Sequence, residues 1–149
     1  MIGRLAVVLS DVEVLSALKA GIIKILPFDQ NCLNPAGYDL RLKNTVSIKP
    51  MAQELVATIE RIELDLSMVG FLNIRSSLAR EGVIGSLALV DPGFRGQLTI
   101  ALFNASRQHV KIKKGERFVQ ITFAKLYRRA KRRYIGRYQD SEGVVKSLR

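Results

Sequence analysis

Between Thr45 and Tyr127 the chain is cut into short apolar runs of similar length. That rhythm restricts its possible folds more than any other feature. The runs are Thr45–Lys49, Glu54–Glu60, Met68–Ile74, Val83–Val90, Gln97–Phe103, His109–Lys113 and Arg117–Tyr127, all rich in Val, Ile, Leu, Thr and Phe. Gly, Pro, Asn and Lys-Gly breaks separate them about every ten residues, the spacing of an all-β sandwich or barrel. One helix is signalled ahead of them. Ser10-Asp11-Val12-Glu13 is a capping box and Gly21 a C′ stop. Between them Val12, Leu15, Leu18 and Ala20 give a partly apolar face. The expectation is one domain over residues 1–149, long enough to bury a core.

Composition removes several function classes. A hydrophobic content of 48% fits a folded globule and is too high for disorder. No apolar run reaches the length of a membrane span. The N-terminal stretch MIGRLAVVLSDVEV has a short apolar patch, but acids follow at once and no A-x-A site appears. It reads as no signal peptide, which makes the cytoplasm the expected location. Cys32 is the only cysteine, so no internal disulfide framework is possible. Zinc chemistry needs clustered His and Cys ligands, and the chain offers only His109 and Cys32. His109 sits in no triad motif and reads as a surface-strand residue. No Walker A or G-x-G-x-x-G pattern is present.

The charge is uneven. Residues 125–149 hold nine Lys/Arg against two acids, which is +7 of the net +11. Such a run is either a polyanion-binding tail, with Tyr127, Tyr134 and Tyr138 to stack on bases, or a solvated terminus.

The chemistry concentrates in Ile74–Asn104. Arg75, Ser76, Ser77 and Arg80 suit phosphate oxygens. Asp91, a lone acid in an apolar stretch, suits activation of a water. Five short motifs follow in order. They are Ala36-Gly37-Tyr38-Asp39-Leu40, Arg75-Ser76-Ser77-Leu78-Ala79-Arg80, Gly85 through Asp91-Pro92-Gly93-Phe94-Arg95-Gly96, Gly115-Glu116-Arg117-Phe118-Val119-Gln120, and Gly136-Arg137-Tyr138-Gln139 with Gly143 and Ser147. In this order and spacing the chain resembles the dUTPase and dCTP deaminase superfamily from about Pro35 to Ser147. The RSSLAREGVIGS and DPGFRG versions most resemble archaeal dUTPases built on the deaminase-like template.

The resemblance implies a distorted β-barrel or jelly roll of the β-clip type, with one short N-terminal helix. It implies a homotrimer with active sites at subunit interfaces. It also implies Mg²⁺ held mainly by substrate phosphates, as that ion usually is. Asp91 would orient the water that attacks the α-phosphorus; alone, Asp-Pro-Gly is also a common turn. Phe94 would pack on the sugar, or be a core ring, or both. Arg75, Ser76, Ser77 and Gln120 would bind phosphate, with Arg80 ordering that loop and reaching the reacting region. Asp39 would hold a metal-bound water or brace its loop. The backbone around Gly85 and Leu87 would read the base edge.

Two departures from the family pattern matter. Deaminases of the superfamily carry a glutamate that shuttles protons in the strand after the turn. Here that strand reads Leu98-Thr99-Ile100-Ala101-Leu102, and Ala101 takes the glutamate's place. Alanine cannot transfer a proton, so the expected activity is hydrolysis of dUTP to dUMP and pyrophosphate. The alternatives are a dCTP deaminase and a non-catalytic nucleotide or nucleic-acid binder. Residues 134–149 resemble a flexible lid, with Arg137, Tyr138 and Lys146 as candidates for the γ-phosphate. That lid makes Arg128–Arg133 a solvated approach to it, and argues against nucleic acid as the partner.

Overall fold

The computed structural model describes residues 7–86 and 88–149. Its elements are α1 (Asp11–Lys19), β1 (Ile23–Leu26), β2 (Leu33–Asn34), β3 (Gly37–Arg41), β4 (Val46–Ile48), β5 (Gln53–Leu64), β6 (Met68–Ile74), α2 (Ser76–Arg80), β7 (Val83–Gly85), β8 (Leu89–Val90), β9 (Arg95–Asn104), β10 (Val110–Ile112) and β11 (Arg117–Lys125). The strands form a four-stranded sheet β1-β5-β9-β7, a five-stranded sheet β2-β3-β11-β6-β8 and the pair β10-β4. Every named ladder is antiparallel. The all-β expectation holds, with the sheets left open rather than closed into one barrel.

Alternation explains the layers. Along β9, Gly96, Leu98, Ile100, Leu102 and Asn104 are buried while Gln97, Thr99, Ala101 and Phe103 stay partly open. Tyr38, Leu40, Ile62, Ile100, Leu102, Phe118 and Phe123 meet in the core, all nearly inaccessible. That apolar burial is the main stabilising term. Two carboxylates are buried with it, Asp39 and Glu60. Glu60 has no exposure, and Arg41 answers it with Nε donating to Oε1 at 2.6 Å and the backbone N–H donating to Oε2 at 2.9 Å.

The N-terminal helix forms with its capping box: the Ser10 N–H donates to Glu13 Oε2 at 3.0 Å, and Gly21 follows at φ +70°. Residues 76–80 are a short helix, because Ala79 N–H reaches Arg75 C=O and Leu78 points into the core. One expectation needs correction. Val83–Val90 is not one strand. Its first part pairs with β9 and its last part with β6, so the segment passes from one sheet to the other. Leu87 itself lies outside the described residues.

After β11 the chain continues as an extended strap. Its backbone is pinned at Leu126 to Ser67 C=O, at Ala130 to Leu66 C=O and at Tyr134 to Pro92 C=O, each at 2.8 Å. Between these pins Tyr127, Arg128 and Arg129, then Lys131, Arg132 and Arg133, face outward.

Candidate active site

The crossing segment 83–90 and the pocket face of β9 enclose a cleft of about 480 Å³. Ser86, Gln97, Thr99 and Ala101 line it from these elements, and Asp91 and Phe94 from the turn between them. Among the described lining residues, Asp91 is the one carboxylate. It is exposed and opens the turn to Phe94, whose N–H donates to Asp91 C=O at 3.1 Å. Turn and acid are thus the same residue. Phe94 is both core ring and cleft wall: it is 7% exposed and meets Tyr134 edge-on, with centroids 5.5 Å apart.

Ala101 faces the cleft. Ser86 braces it, with Ser86 N–H donating to Ala101 C=O at 2.8 Å and Ala101 N–H to Ser86 Oγ at 3.2 Å. The backbone at Ser86 therefore spends its donor on β9. Gly85 pairs with Leu102 one residue before the cleft wall.

The phosphate candidates lie elsewhere on the chain. Arg75 caps α2, and Ser76, Ser77 and Arg80 are exposed. Gln120 sits opposite Asp39 across β11–β3 and opposite Asn73 across β11–β6. The structure brings Arg75, Gln120 and Asp39 together but not to the Asp91 cleft, whose described lining includes none of them. Asp39 is 3% exposed and is taken by Arg75 Nε at 3.2 Å and Arg117 at 3.8 Å. Both contacts fall on Oδ2, so Asp39 braces the Arg75 loop whether or not it also orients a metal-bound water. Among the described residues no group of three His, Cys, Asp or Glu could hold a metal.

The C-terminal segment forms the remaining wall. Tyr138, Ser141, Val145 and Ser147 line the cleft, whereas Arg137 turns back so that its guanidinium meets Leu148 C=O, and Lys146 is exposed. Sequence reasoning missed Gln97 and Thr99, the residues that receive this segment. Gln97 Oε1 accepts from Gly143 N–H at 2.7 Å and from Lys43 Nζ at 2.8 Å, and Thr99 Oγ1 accepts from Val145 N–H at 3.0 Å. Their period-two placement beside Ala101 was the available signal.

A family model described as dCTP deaminase-like matches residues 43–126. A dCTP deaminase of Thermococcus kodakarensis is 48% identical, over 85% of this chain and 92% of its own. A probable deoxyuridine 5′-triphosphate nucleotidohydrolase of Sulfolobus islandicus rod-shaped virus 1 is 32% identical, over 93% of this chain and 96% of its own. Among solved structures, the 2′-deoxycytidine 5′-triphosphate deaminase of Agrobacterium tumefaciens superposes with a TM-score of 0.71 at 16% identity. That match covers 82% of this chain and 50% of the other.

Proposed function

The chain belongs to the dUTPase and dCTP deaminase superfamily, and we propose that within it the protein hydrolyses dUTP to dUMP and pyrophosphate. One observation carries the choice: the cleft holds a single described carboxylate, Asp91, and its wall includes the methyl group of Ala101, where the motif resemblance puts the deaminase glutamate. Hydrolysis at phosphorus needs one base to orient a water. Deamination needs a group that both takes the water's proton and protonates the departing amine at the pyrimidine C4.

In this reading Asp91 orients the water toward the α-phosphorus and Phe94 packs on the sugar. Arg75, Ser76, Ser77 and Gln120 hold the phosphates, where charge-assisted bonds stabilise the charge that develops. Arg80 supports that loop. Mg²⁺ bound to the triphosphate would neutralise part of its charge. Because the phosphate group and the Asp91 cleft lie apart on one chain, the complete site is assembled between chains, in a homotrimer. Arg137, Tyr138 and Lys146 stay candidates for the γ-phosphate, with Tyr138 the one that lines the cleft.

A second reading, dCTP deamination, is favoured by the name of the Thermococcus relative. Incubation with dUTP or dCTP plus Mg²⁺, with pyrophosphate and ammonia both measured, separates the two. Pyrophosphate from dUTP without ammonia from dCTP supports hydrolysis. Ammonia from dCTP would sink the reading of Ala101.

A further inference from the structure

The C-terminal segment does not merely approach the cleft; it is fastened beside it along a seam in which Asp140 holds the charged contacts. Asp140 Oδ1 accepts from Arg95 Nε and from Arg61 at 2.6 Å each, and Oδ2 accepts from Arg95 at 2.8 Å. Asp140 N–H also donates to Arg95 C=O at 2.8 Å. The flanking residues continue the seam. Gln139 accepts from Arg95 N–H at 3.0 Å and donates to Gly93 C=O at 2.9 Å. Ser141 Oγ donates to Gln97 C=O at 2.7 Å, and Gln97 N–H donates to Ser141 C=O at 2.8 Å.

The β5–β9 ladder is prepared for this contact. The antiparallel register of β5 and β9 places Arg61 opposite Gln97 and Glu63 opposite Arg95, so two guanidinium groups come side by side. Glu63 serves Arg61 at 3.3 Å and Lys24 at 3.0 Å. Arg95 has Asp140 as its acid. Gly96 makes room, since a Cβ there would meet Ser141 atoms at 2.8–3.1 Å. Asp140 adopts φ +59°, a left-handed conformation that Asp tolerates better than most side chains.

We propose that Asp140 is a positioning residue, which clasps the C-terminal segment to Arg95 and Arg61 and thereby sets the cleft wall made by Tyr138, Ser141 and Val145. The inference rests on the cleft being the nucleotide site, but the clasp itself is tested without nucleotide. Single exposed ion pairs contribute little; a forked pair shared by two arginines and continued by backbone bonds makes a cooperative seam. At neutral pH the Arg95 and Arg61 bonds hold the Asp140 carboxyl at about 2, so the clasp is charged throughout the working range.

The test is cleavage after Glu142 by a glutamyl endopeptidase, followed by mass spectrometry of the released 143–149 fragment. Glu142 is retained in every variant. Asp140→Asn is expected to be cut several-fold faster than the unmodified chain, and Asp140→Arg about tenfold faster, because cleavage follows the population of the undocked segment. The swap Arg95→Asp with Asp140→Arg is expected to be cut several-fold more slowly than Asp140→Arg alone, short of the original rate because Arg61 then faces a cation. High salt is expected to speed cleavage of the unmodified chain and leave Asp140→Asn unchanged. Equal rates for Asp140→Arg and the unmodified chain, or a swap no slower than the single variant, would overturn the clasp. With dUTP, Asp140→Arg is expected to raise KM while kcat stays within about threefold, the split of a residue that holds a wall and touches no reacting atom. Altered cleavage without any dUTP turnover would leave the clasp standing and remove the hydrolase reading instead.

Discussion

Replacing Asp91 by Asn keeps the turn and the size of the side chain but removes the base. Under the hydrolase reading, Asp91→Asn is expected to lower kcat by about 10²-fold or more while dUTP binding, followed calorimetrically, stays within a few-fold. Retained turnover would refute the role given to Asp91. A different residue governs stability. Arg41→Met strands the inaccessible Glu60 carboxylate, and losing one partner of a buried pair costs about 3–5 kcal/mol. Urea denaturation is expected to show that loss, and Glu60→Leu added to Arg41→Met is expected to recover much of it. At this scale the sequence was readable where chemistry concentrates: Asp91, Phe94 and Arg75 stand in motifs with distinctive composition. Ser86 and Glu60 were not readable. Their roles depend on which strand faces them across the sheet, and no local pattern encodes that.

The elements show the same division. Seven strand expectations rested on runs of β-branched and aromatic residues, and β6 has the bounds expected of it. The strands β1 to β3 were missed because they are two to five residues long, and β1 and β3 take partners from the distant β5 and β11. The helix α2 was hidden in a run of two serines, poor helix formers that a tertiary contact through Leu78 overrides. The long strand β5 changes register against β9 between Ala57 and Arg61, and a hydroxyl fills the irregularity. Thr58 Oγ1 donates to Glu60 C=O at 2.8 Å and accepts from Leu98 N–H at 3.0 Å, with no exposure. Thr58→Val keeps the shape and leaves that N–H without an acceptor. Thermal or urea unfolding is expected to report a loss of about 1–3 kcal/mol, with Thr58→Ser smaller.

For the whole molecule, the separation of the phosphate group from the Asp91 cleft makes an assembly prediction. Light scattering on eluted protein is expected to give a mass three times the 16.6 kDa of one chain. A monomer that hydrolyses dUTP would contradict the shared-site reading. Exposed Phe71 and Leu89, cross-strand neighbours on β6 and β8, supply apolar surface of the kind a subunit contact covers.

The pinned strap carries a consequence for how fast a ligand arrives. A terminus free to move would average its cations over a large volume. Backbone bonds at Leu126, Ala130 and Tyr134 instead hold the cation-bearing stretch beside Phe94, so that its charge forms a standing field; Asp65 pairs with Arg129, and the sequence has no acid between Glu116 and Asp140. Such a field draws a polyphosphate inward before any contact forms, and salt weakens it. The expected signature is a kcat/KM for dUTP that falls about tenfold between low and physiological ionic strength while kcat holds, a slope that Lys131→Glu with Arg132→Glu flattens. The strap would then set the rate of encounter, a quantity none of the five motifs encodes.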